Sequence, residues 1–155
     1  MPDYTLRRAT VTDAATIARH RTGMFRAMGI TSPLDEVETA TRVRLAEQIS
    51  SGEYAGWLIE HEGMPVAGAG VLLHQYYPSA TNPRGRPTAY ILNVFTEPGH
   101  RRRGLASGLV EAILAWCTAN DIPRASLHAS EEGRSVYEHL GFTSTNELRV
   151  ELLTA

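Results

Sequence analysis

The chain of 155 residues contains one cysteine, Cys117, and no lysine. A single cysteine cannot form a disulfide within the chain, and a cysteine-rich zinc module is excluded. No apolar run approaches the roughly 18 residues that a membrane span requires, and residues 1–8 lack the basic-then-apolar pattern of an export signal. We therefore expect a cytoplasmic protein that holds no metal ion and does not act at a membrane.

The sequence also lacks an excess of charge of one sign. Fifteen basic residues, all of them arginine, stand against 17 acidic ones and leave a formal net charge of -2. A protein that coats nucleic acid or anionic lipid needs a strongly positive surface, so we expect no nucleic-acid partner. Apolar residues make up 43% and charged residues 21%, as in ordinary soluble globular proteins. The length suits one domain, which we expect to span residues 1–155.

Hydrophobic periodicity predicts helices interspersed with strands, the first two helices in succession and the others singly. Helices are expected over 14–28, 33–52, 104–119 and 131–140, the second with Ser32 as its N-cap and Pro33 in its first position. Strands are expected over 4–8, 55–61, 64–74, 90–96 and 124–129, with a last strand or hairpin over 142–153. The proline-rich stretch 75–88 predicts an exposed loop. This order is typical of a three-layer α/β or an α+β fold.

One segment carries chemistry that the rest of the chain does not. The buried strand 90–96 is followed by residues 97–100 and then by three arginines, 101–103, which open the third helix. The first turn of a helix has unpaired N–H groups and a partial positive charge, and both attract anions. Gly104 and Ala106 have almost no side chain to obstruct an approaching group. The segment therefore predicts a phosphate-binding loop.

A solvated basic cap on the helix is the simpler interpretation of the arginines. Arginine is, however, disfavoured at a helix N-terminus, where the dipole prefers acidic groups, so three in succession favour an anion that offsets them. The segment lacks the Gly-Lys-Ser/Thr ending of a P-loop and the three glycines and downstream acid of a dinucleotide fingerprint. A nucleotide-binding domain that merely shares an arginine–glycine loop stays open at this point.

The pattern Arg101-x-x-Gly104-x-Ala106 after a strand resembles the Arg/Gln-x-x-Gly-x-Gly/Ala motif of the GCN5-related N-acetyltransferases (GNAT), whose pyrophosphate-binding loop receives coenzyme A. Pro98, three residues before the first arginine, agrees with this family. Residues 137–142, Tyr-Glu-His-Leu-Gly-Phe, are similar to its later Leu-Tyr-x-x-x-Gly-Phe block, at the matching distance of one helix and one strand. The resemblance implies an α/β, three-layer fold with a mixed, mostly antiparallel central sheet flanked by helices.

The resemblance also implies how acetyl-CoA would be bound. In this family two central strands splay apart and pantetheine lies in the gap, so the main chain of Val94 and Thr96 would pair with its amides. A main-chain N–H near Val94 or Phe95 would polarise the thioester carbonyl. Ser130 stands where many members have an asparagine that touches pantetheine. The pyrophosphate would be surrounded by Arg101, Arg102, Arg103, Gly104, Leu105, Ala106 and Ser107.

Tyr137 matches the family tyrosine that donates a proton to the departing thiolate. Such an acid would accelerate the reaction by roughly 10²-fold or less, because a thiol is already a tolerable leaving group. Histone-type members place a glutamate base on the central strand eleven positions before the motif arginine, where this chain has Tyr90. The base is therefore left open among His74, Tyr76, Glu36 and Glu38.

In this family the acceptor is usually selected by the first two helices and by the loop before the central strand. The resemblance thus implies an entrance lined by Met28, Tyr76 and Tyr77. Asn93, a polar residue inside the strand, would orient water or the acceptor unless neighbouring backbone satisfies it. The expected acceptor is a primary amine on a small molecule or a peptide, and the sequence is compatible with a homodimer.

Two functions follow from the resemblance. The first is an acetyl-CoA-dependent N-acetyltransferase in which the amine attacks the thioester directly in a ternary complex. The place of Cys117 on the apolar stripe of the third helix agrees with this, because it offers no nucleophile for an acyl-enzyme. The alternative is a catalytically weak acyl-CoA-binding regulatory module, which only the missing strand glutamate favours.

Overall fold

The computed structural model describes residues 3–153, which form one five-stranded sheet and four helices. The strands are β1 (Tyr4–Arg8), β2 (Tyr54–His61), β3 (Met64–His74), β4 (Thr88–Thr96) and β5 (Ala125–Ser126). The helices are α1 (Ala14–Ala27), α2 (Leu34–Ser51), α3 (Leu105–Ala119) and α4 (Arg134–His139). The sheet has the order β1-β2-β3-β4-β5, antiparallel throughout except for the parallel pair β4 and β5. The expected mixed, mostly antiparallel sheet flanked by helices is confirmed.

Helices cover both faces of the central strands, which explains why the sequence of β4 is almost continuously apolar. On one face, Leu109 and Ile113 of α3 pack with Val71 and Ile91 in the larger core. The opposite face is covered by α1 and α2 through a smaller core of Ala14, Ile17, Ala18, Leu45, Tyr54 and Leu58. Burying each large apolar side chain contributes roughly 1.5–3 kcal/mol, so these two layers supply most of the driving force for folding. Within residues 3–153, none of the helices is both long and apolar enough to cross a membrane.

The start of α2 differs from the expected one. Pro33 rather than Ser32 is the N-cap, because the Pro33 carbonyl accepts the first helical bond from the Val37 N–H at 3.1 Å. No side chain caps this helix, and its first regular residue is Leu34. Proline and serine both mark helix starts, and the sequence alone did not distinguish which of the two supplies the capping carbonyl.

The prediction of a last strand or hairpin over 142–153 is wrong, because the structure has no strand in that segment. An additional strand needs a partner edge, and β5 offers only two residues. The apolar side chains that alternate here, Leu148, Val150 and Leu152, consequently remain exposed. Alternation of apolar residues indicates an extended segment, but it does not specify what the segment pairs with.

Gly70 lies where β3 faces the buried ring of Tyr54 on β2. A Cβ atom at this position would overlap the Tyr54 hydroxyl and the ring carbon that bears it, and the ring is enclosed by the smaller core. The glycine is therefore required by packing rather than by backbone conformation. Because Gly70 has no side chain, the bulky phenol of Tyr54 can pack against β3 on the face of the sheet that the smaller core covers.

We expect Gly70→Ala to lower the free energy of unfolding by about 2 kcal/mol, because the enclosed ring cannot move away without strain. Gly108→Ala is the matched control, since a Cβ there meets nothing within 4 Å and helix α3 should gain about 0.5–1 kcal/mol. Urea unfolding of both variants measures the difference. Equal stabilities would show that Tyr54 is not fixed against Gly70.

Candidate functional site

A gap opens between the two parallel strands at the centre of the site. β4 and β5 pair at only two positions, Ala89 with Ala125 and Tyr90 with Ser126. From Ile91 to Thr96, β4 has no strand on that side within the described part of the chain. The splayed strands implied by the family resemblance are thus present in the fold.

A bulge in β4 lies beside this gap. The β3–β4 register shifts between Gly68 and Gly70, so that β4 carries an additional residue opposite β3. Asn93 lies in the bulge with a left-handed backbone, φ 59°, which asparagine tolerates better than most residues. Bulges bend a strand and redirect its groups, and here the redirection occurs where the pairing with β5 has just ended.

Beyond the bulge, every second residue of β4 turns its main-chain groups toward the gap. The N–H of Glu97 donates to the Val66 carbonyl at 2.8 Å, so the main chain of Glu97 faces β3. Main-chain groups of successive residues alternate between the two sides of a strand, so Val94 and Thr96 face the open side. The Thr96 carbonyl is already bonded by Nε of Arg101 at 3.0 Å, which leaves the main chain of Val94 as the free group at the centre of the gap.

Asn93 is held by side chains rather than by backbone. Its Oδ1 accepts from Nη1 of Arg21 at 2.8 Å, and its Nδ2 donates to the Tyr54 hydroxyl at 3.2 Å. Asn93 is buried, and burial also raises the pKa of Tyr54 to about 12, so this phenol stays neutral. Sequence reasoning missed Arg21 and Tyr54. The available signal was a charged residue, Arg21, on the apolar stripe of α1.

The loop before α3 leaves free space in front of a helix N-terminus. Arg102 and Gly104 both have left-handed backbones, φ 61° and 76°, a pattern that turns N–H groups toward one point. A Cβ on Gly104 would meet nothing within 4 Å, and no side chain caps α3. All three arginines, 101–103, are exposed, and Arg101 folds back so that its Cζ lies 5.8 Å from the centroid of the Phe95 ring. Leu105 is buried and anchors the turn.

Tyr137 belongs to α4, and Ser130 lies shortly before that helix. The Tyr137 ring packs edge-on against Phe142 at 5.9 Å, and burial raises the pKa of its phenol, so the hydroxyl carries its proton at neutral pH. Within residues 3–153 its hydroxyl has no hydrogen-bond partner. The Ser130 hydroxyl accepts the Gly133 N–H at 3.1 Å and thereby shapes the turn that precedes α4.

The residues expected to line the acceptor entrance do not all come together. Tyr76 lies near His74, with ring centroids 6.4 Å apart, and His74 packs edge-on against Tyr90 at 5.9 Å. Tyr77 is 93% exposed, and Met28 follows the end of α1 with 59% of its surface accessible. The structure therefore places Tyr76 beside His74 with 61% of its own surface exposed, and it leaves Tyr77 and Met28 exposed as well.

Tyr90, which replaces the histone-type glutamate, forms a chain with His128 and Arg149. Its hydroxyl bonds Nδ1 of His128, and Nε2 of that histidine bonds Nη2 of Arg149. A guanidinium can only donate, so Nε2 must accept and Nδ1 carries the proton that it donates to Tyr90. The Nε2 lone pair of His128 is therefore already engaged by Arg149.

The other expected bases are distributed unevenly around the gap. Glu36 and Glu38 belong to α2, which packs mainly on α1 and β2, one layer away from β4. Glu36 also lines a broad open concavity on the outer side of that helix, formed with Val43 and Glu47. Among the bases suggested by sequence, His74 and Tyr76 are the ones that the structure brings to the site.

His20 of α1 is buried beneath the site without hydrogen bonds. Neither ring nitrogen has a partner within the described residues, and Nε2 lies 3.7 Å from a carboxylate oxygen of Glu97. The ring packs on Phe95 with centroids 5.3 Å apart. Burial, reinforced by the nearby charge of Arg19, lowers the pKa of His20 to about 4. The imidazole is therefore neutral in the folded protein at neutral pH.

This burial predicts a pH-dependent stability. Between pH 6.5 and about 4 the unfolded chain binds a proton at His20 and the folded chain does not, so unfolding becomes easier by roughly 3 kcal/mol as the pH falls. Urea unfolding at pH 7 and pH 4.5 measures the loss, which His20→Leu should largely remove. His139→Gln, at an exposed position, is the control. An unchanged pH dependence in His20→Leu would contradict the assignment.

Comparisons with known proteins were consistent with this geometry. The family model described as Acetyltransferase (GNAT) family matches residues 16–142. A GCN5-related N-acetyltransferase from Ralstonia eutropha is 31% identical, with a TM-score of 0.89 over 96% of this chain and 98% of that one. A protein from Clostridium acetobutylicum, described as a predicted acetyltransferase with acetyl-CoA, is 26% identical, with a TM-score of 0.88 over 97% and 96% of the two chains.

An aminoglycoside N-acetyltransferase in complex with CoA shares the fold at 19% identity, with a TM-score of 0.70 over 98% of this chain and 95% of that one. No curated protein matches the sequence significantly. The family model covers well over half of the chain, and it includes both the loop before α3 and the tyrosine of α4. The chain belongs to the acetyltransferase (GNAT) family.

Proposed function

We propose that this protein transfers the acetyl group of acetyl-CoA to a primary amine, with both substrates bound together. The observation that carries the proposal is the gap between β4 and β5, which opens beside an uncapped helix N-terminus with free space at Gly104. An extended tail fits such a gap, and an anion fits such a helix end. The likeness to proteins described with acetyl-CoA and with CoA supports this choice of ligand.

The residues present fit the chemical groups of acetyl-CoA. The diphosphate would lie against the N–H groups of the first turn of α3, with Arg102 and Arg103 free to bond its oxygens. The pantetheine amides would pair with the exposed main chain of β4 at Val94. The Thr96 carbonyl is available only if Arg101 releases it, so we assign Thr96 a weaker contact than Val94.

Acetyl-CoA would supply the acetyl group as an activated thioester. Of the two donors that the family resemblance suggests, the main-chain N–H of Val94 faces the gap and would polarise the thioester carbonyl, whereas the main chain of Phe95 faces β3. The bulge at Asn93 fixes the donor in place. Tyr137 holds a proton on its phenol oxygen, because burial raises its pKa, and gives that proton to the departing thiolate. Ser130 orients the turn that carries Tyr137 into the site.

The acceptor amine must lose a proton before it can attack, since an alkylammonium group is almost wholly charged at neutral pH. We place the base at His74, directly or through water. Its ring faces Tyr90 at the start of the gap, and imidazole is the side chain suited to accept a proton near pH 7. His128 is excluded from this role by its bond to Arg149.

Direct attack on the thioester agrees with the position of Cys117. This thiol is buried within the larger core on α3, and burial raises its pKa, so it is neither accessible nor ionised. An acyl-enzyme on Cys117 is therefore not part of the proposed reaction. The acetyl group passes from sulfur to nitrogen without an intermediate bond to the protein: the amine adds to the carbonyl carbon, and the carbon–sulfur bond then breaks to release the thiolate.

Coenzyme A at 100 times its Kd should stabilise the protein by about 2.7 kcal/mol, a shift of roughly 5–10 °C in Tm. We expect Gly104→Val to abolish this shift, because the branched side chain would fill the space that the diphosphate needs. ATP and NAD should shift Tm little, which tests whether the loop is a general nucleotide site. Thermal unfolding with and without each ligand provides the measurement.

Gly52→Val is the matched control for Gly104→Val. Both glycines have left-handed backbones, φ 84° and 76°, with nothing within 4 Å of an added Cβ, so the two variants carry the same backbone strain. Gly52 ends α2 and is remote from the gap. A full coenzyme A shift in Gly104→Val, or an equal loss in both variants, would remove the loop from the binding site.

Substitution of Tyr137 by phenylalanine should lower kcat by roughly 10²-fold or less while leaving the coenzyme A thermal shift unchanged. The ring keeps its packing against Phe142, so only the proton donor is lost. Release of coenzyme A thiol from acetyl-CoA, with an amine library as acceptor, measures the rate. An unaltered kcat would show that the thiolate receives its proton elsewhere. A protein that binds coenzyme A but acetylates no amine would be a regulatory binding module instead.

A further inference from the structure

Arg21 is a half-buried cation beside the β4 bulge. From α1 its guanidinium reaches Asn93, to which Nη1 donates at 2.8 Å, and it covers the Phe25 ring at 4.9 Å. The phenols of Tyr54 and Tyr90 also lie near it, and burial raises the pKa of both, so neither supplies a negative charge at neutral pH. Asn93 immediately precedes Val94, so this cation marks the end of the gap at which the acetyl group would be transferred.

The guanidinium has no carboxylate partner. Within residues 3–153 no aspartate or glutamate oxygen lies within 4.0 Å of Arg21. Arg7 is different, because its guanidinium is bonded to two carboxylates, those of Asp13 at 2.9 Å and of Glu60. Burial lowers the pKa of Arg21, because removing a charged guanidinium from water without an anionic partner costs free energy.

Anchoring α1 to β4 does not by itself account for an arginine at this position. One donor suffices for the amide oxygen of Asn93, and a neutral side chain could provide it. A guanidinium has several N–H donors, and it binds carboxylate and phosphate groups in pairs of parallel hydrogen bonds. A charge that is shielded from water is usually paired with an opposite charge. The N–H donors of Arg21 that Asn93 does not use are therefore suited to an anion.

We propose that Arg21 recognises an anionic group on the acceptor, so that the substrates are primary amines that also carry a carboxylate or a phosphate. This inference rests on the proposed acetyl transfer and specifies its substrate class. The anion would offset the charge beside Asn93 and hold the amine at the mouth of the gap next to Val94. Neutral amines and polyamines would lack this contact, and polyamines would also be repelled.

Matched pairs of amines test the proposal. One arm compares α-amino acids with the corresponding amino-acid amides, and the other compares aminoalkyl phosphates with aminoalcohols. We expect the anionic member of at least one pair to have the higher kcat/KM, and the pair that responds identifies a carboxylate or a phosphate. Equal rates within both pairs, with turnover present, would overturn the proposal while leaving acetyl transfer intact.

Variants of Arg21 connect the preference to the residue. Arg21→Gln keeps a donor for Asn93, and it should lower the kcat/KM of the anionic amine relative to that of its neutral partner by roughly 10-fold to 100-fold, chiefly through a higher KM. A loss shared equally by both amines would report on the support of Asn93, so only the ratio of the two measures recognition of the anion. Arg21→Lys restores the charge and should recover part of the preference. Arg19→Gln, exposed on the same helix, is the control. A preference that survives in Arg21→Gln would contradict the assignment.

Binding of products provides a readout that does not depend on turnover. With coenzyme A bound, an N-acetylated amino acid or N-acetylated aminoalkyl phosphate should raise Tm more than its neutral counterpart, and Arg21→Gln should remove the difference. No such difference in the wild type would overturn the proposal even if no amine is acetylated. Failure of coenzyme A itself to raise Tm would instead refute the proposed function.

Discussion

The site depends on one buried hydrogen-bonded unit, in which Tyr54 and Arg21 hold the side chain of Asn93 from two layers of the protein. A left-handed residue within a strand is costly and persists only when its surroundings fix it. Tyr54 can reach Asn93 because Gly70 leaves room for its ring, and Arg21 arrives from α1. The bulge that results turns the main chain of Val94 toward the gap. The contacts of Tyr54 and Arg21 with Asn93 thus determine which main-chain group of β4 is free in the gap.

The gap and the loop form one continuous feature. Parallel pairing of β4 with β5 ends at Tyr90, and the same strand then delivers the chain to Arg101 and to the first turn of α3. A ligand that follows the exposed edge of β4 is therefore led to a helix N-terminus without any contribution from a separate element. Free space at Gly104 and exposed arginines at that end suit its charged part, and the neutral edge of β4 suits its amide part.

The sequence predicted what depends on local pattern. Periodicity located the helices and the hairpin at Glu62–Gly63, and the motif from Arg101 to Ala106 indicated the loop and the family. It did not predict contacts across elements, because nothing in the local pattern relates Arg21 to Asn93 or His128 to Tyr90. The predicted final strand failed for the same reason, since alternation in 142–153 cannot reveal whether a sheet edge is available to it.

The proposed site has arginines in two separate regions, although the chain as a whole is slightly acidic. The exposed arginines of the loop would bind a ligand that water also reaches, so their contribution would weaken with salt. Arg21 is half-buried and shielded by Phe25, so its interaction with an anion is screened less. The first region suits a common group that many ligands share. The second lies beside the end of the gap at which the proposed transfer would occur. Discrimination between amines would be most effective there, because an anion misplaced at Arg21 would also misplace the nitrogen.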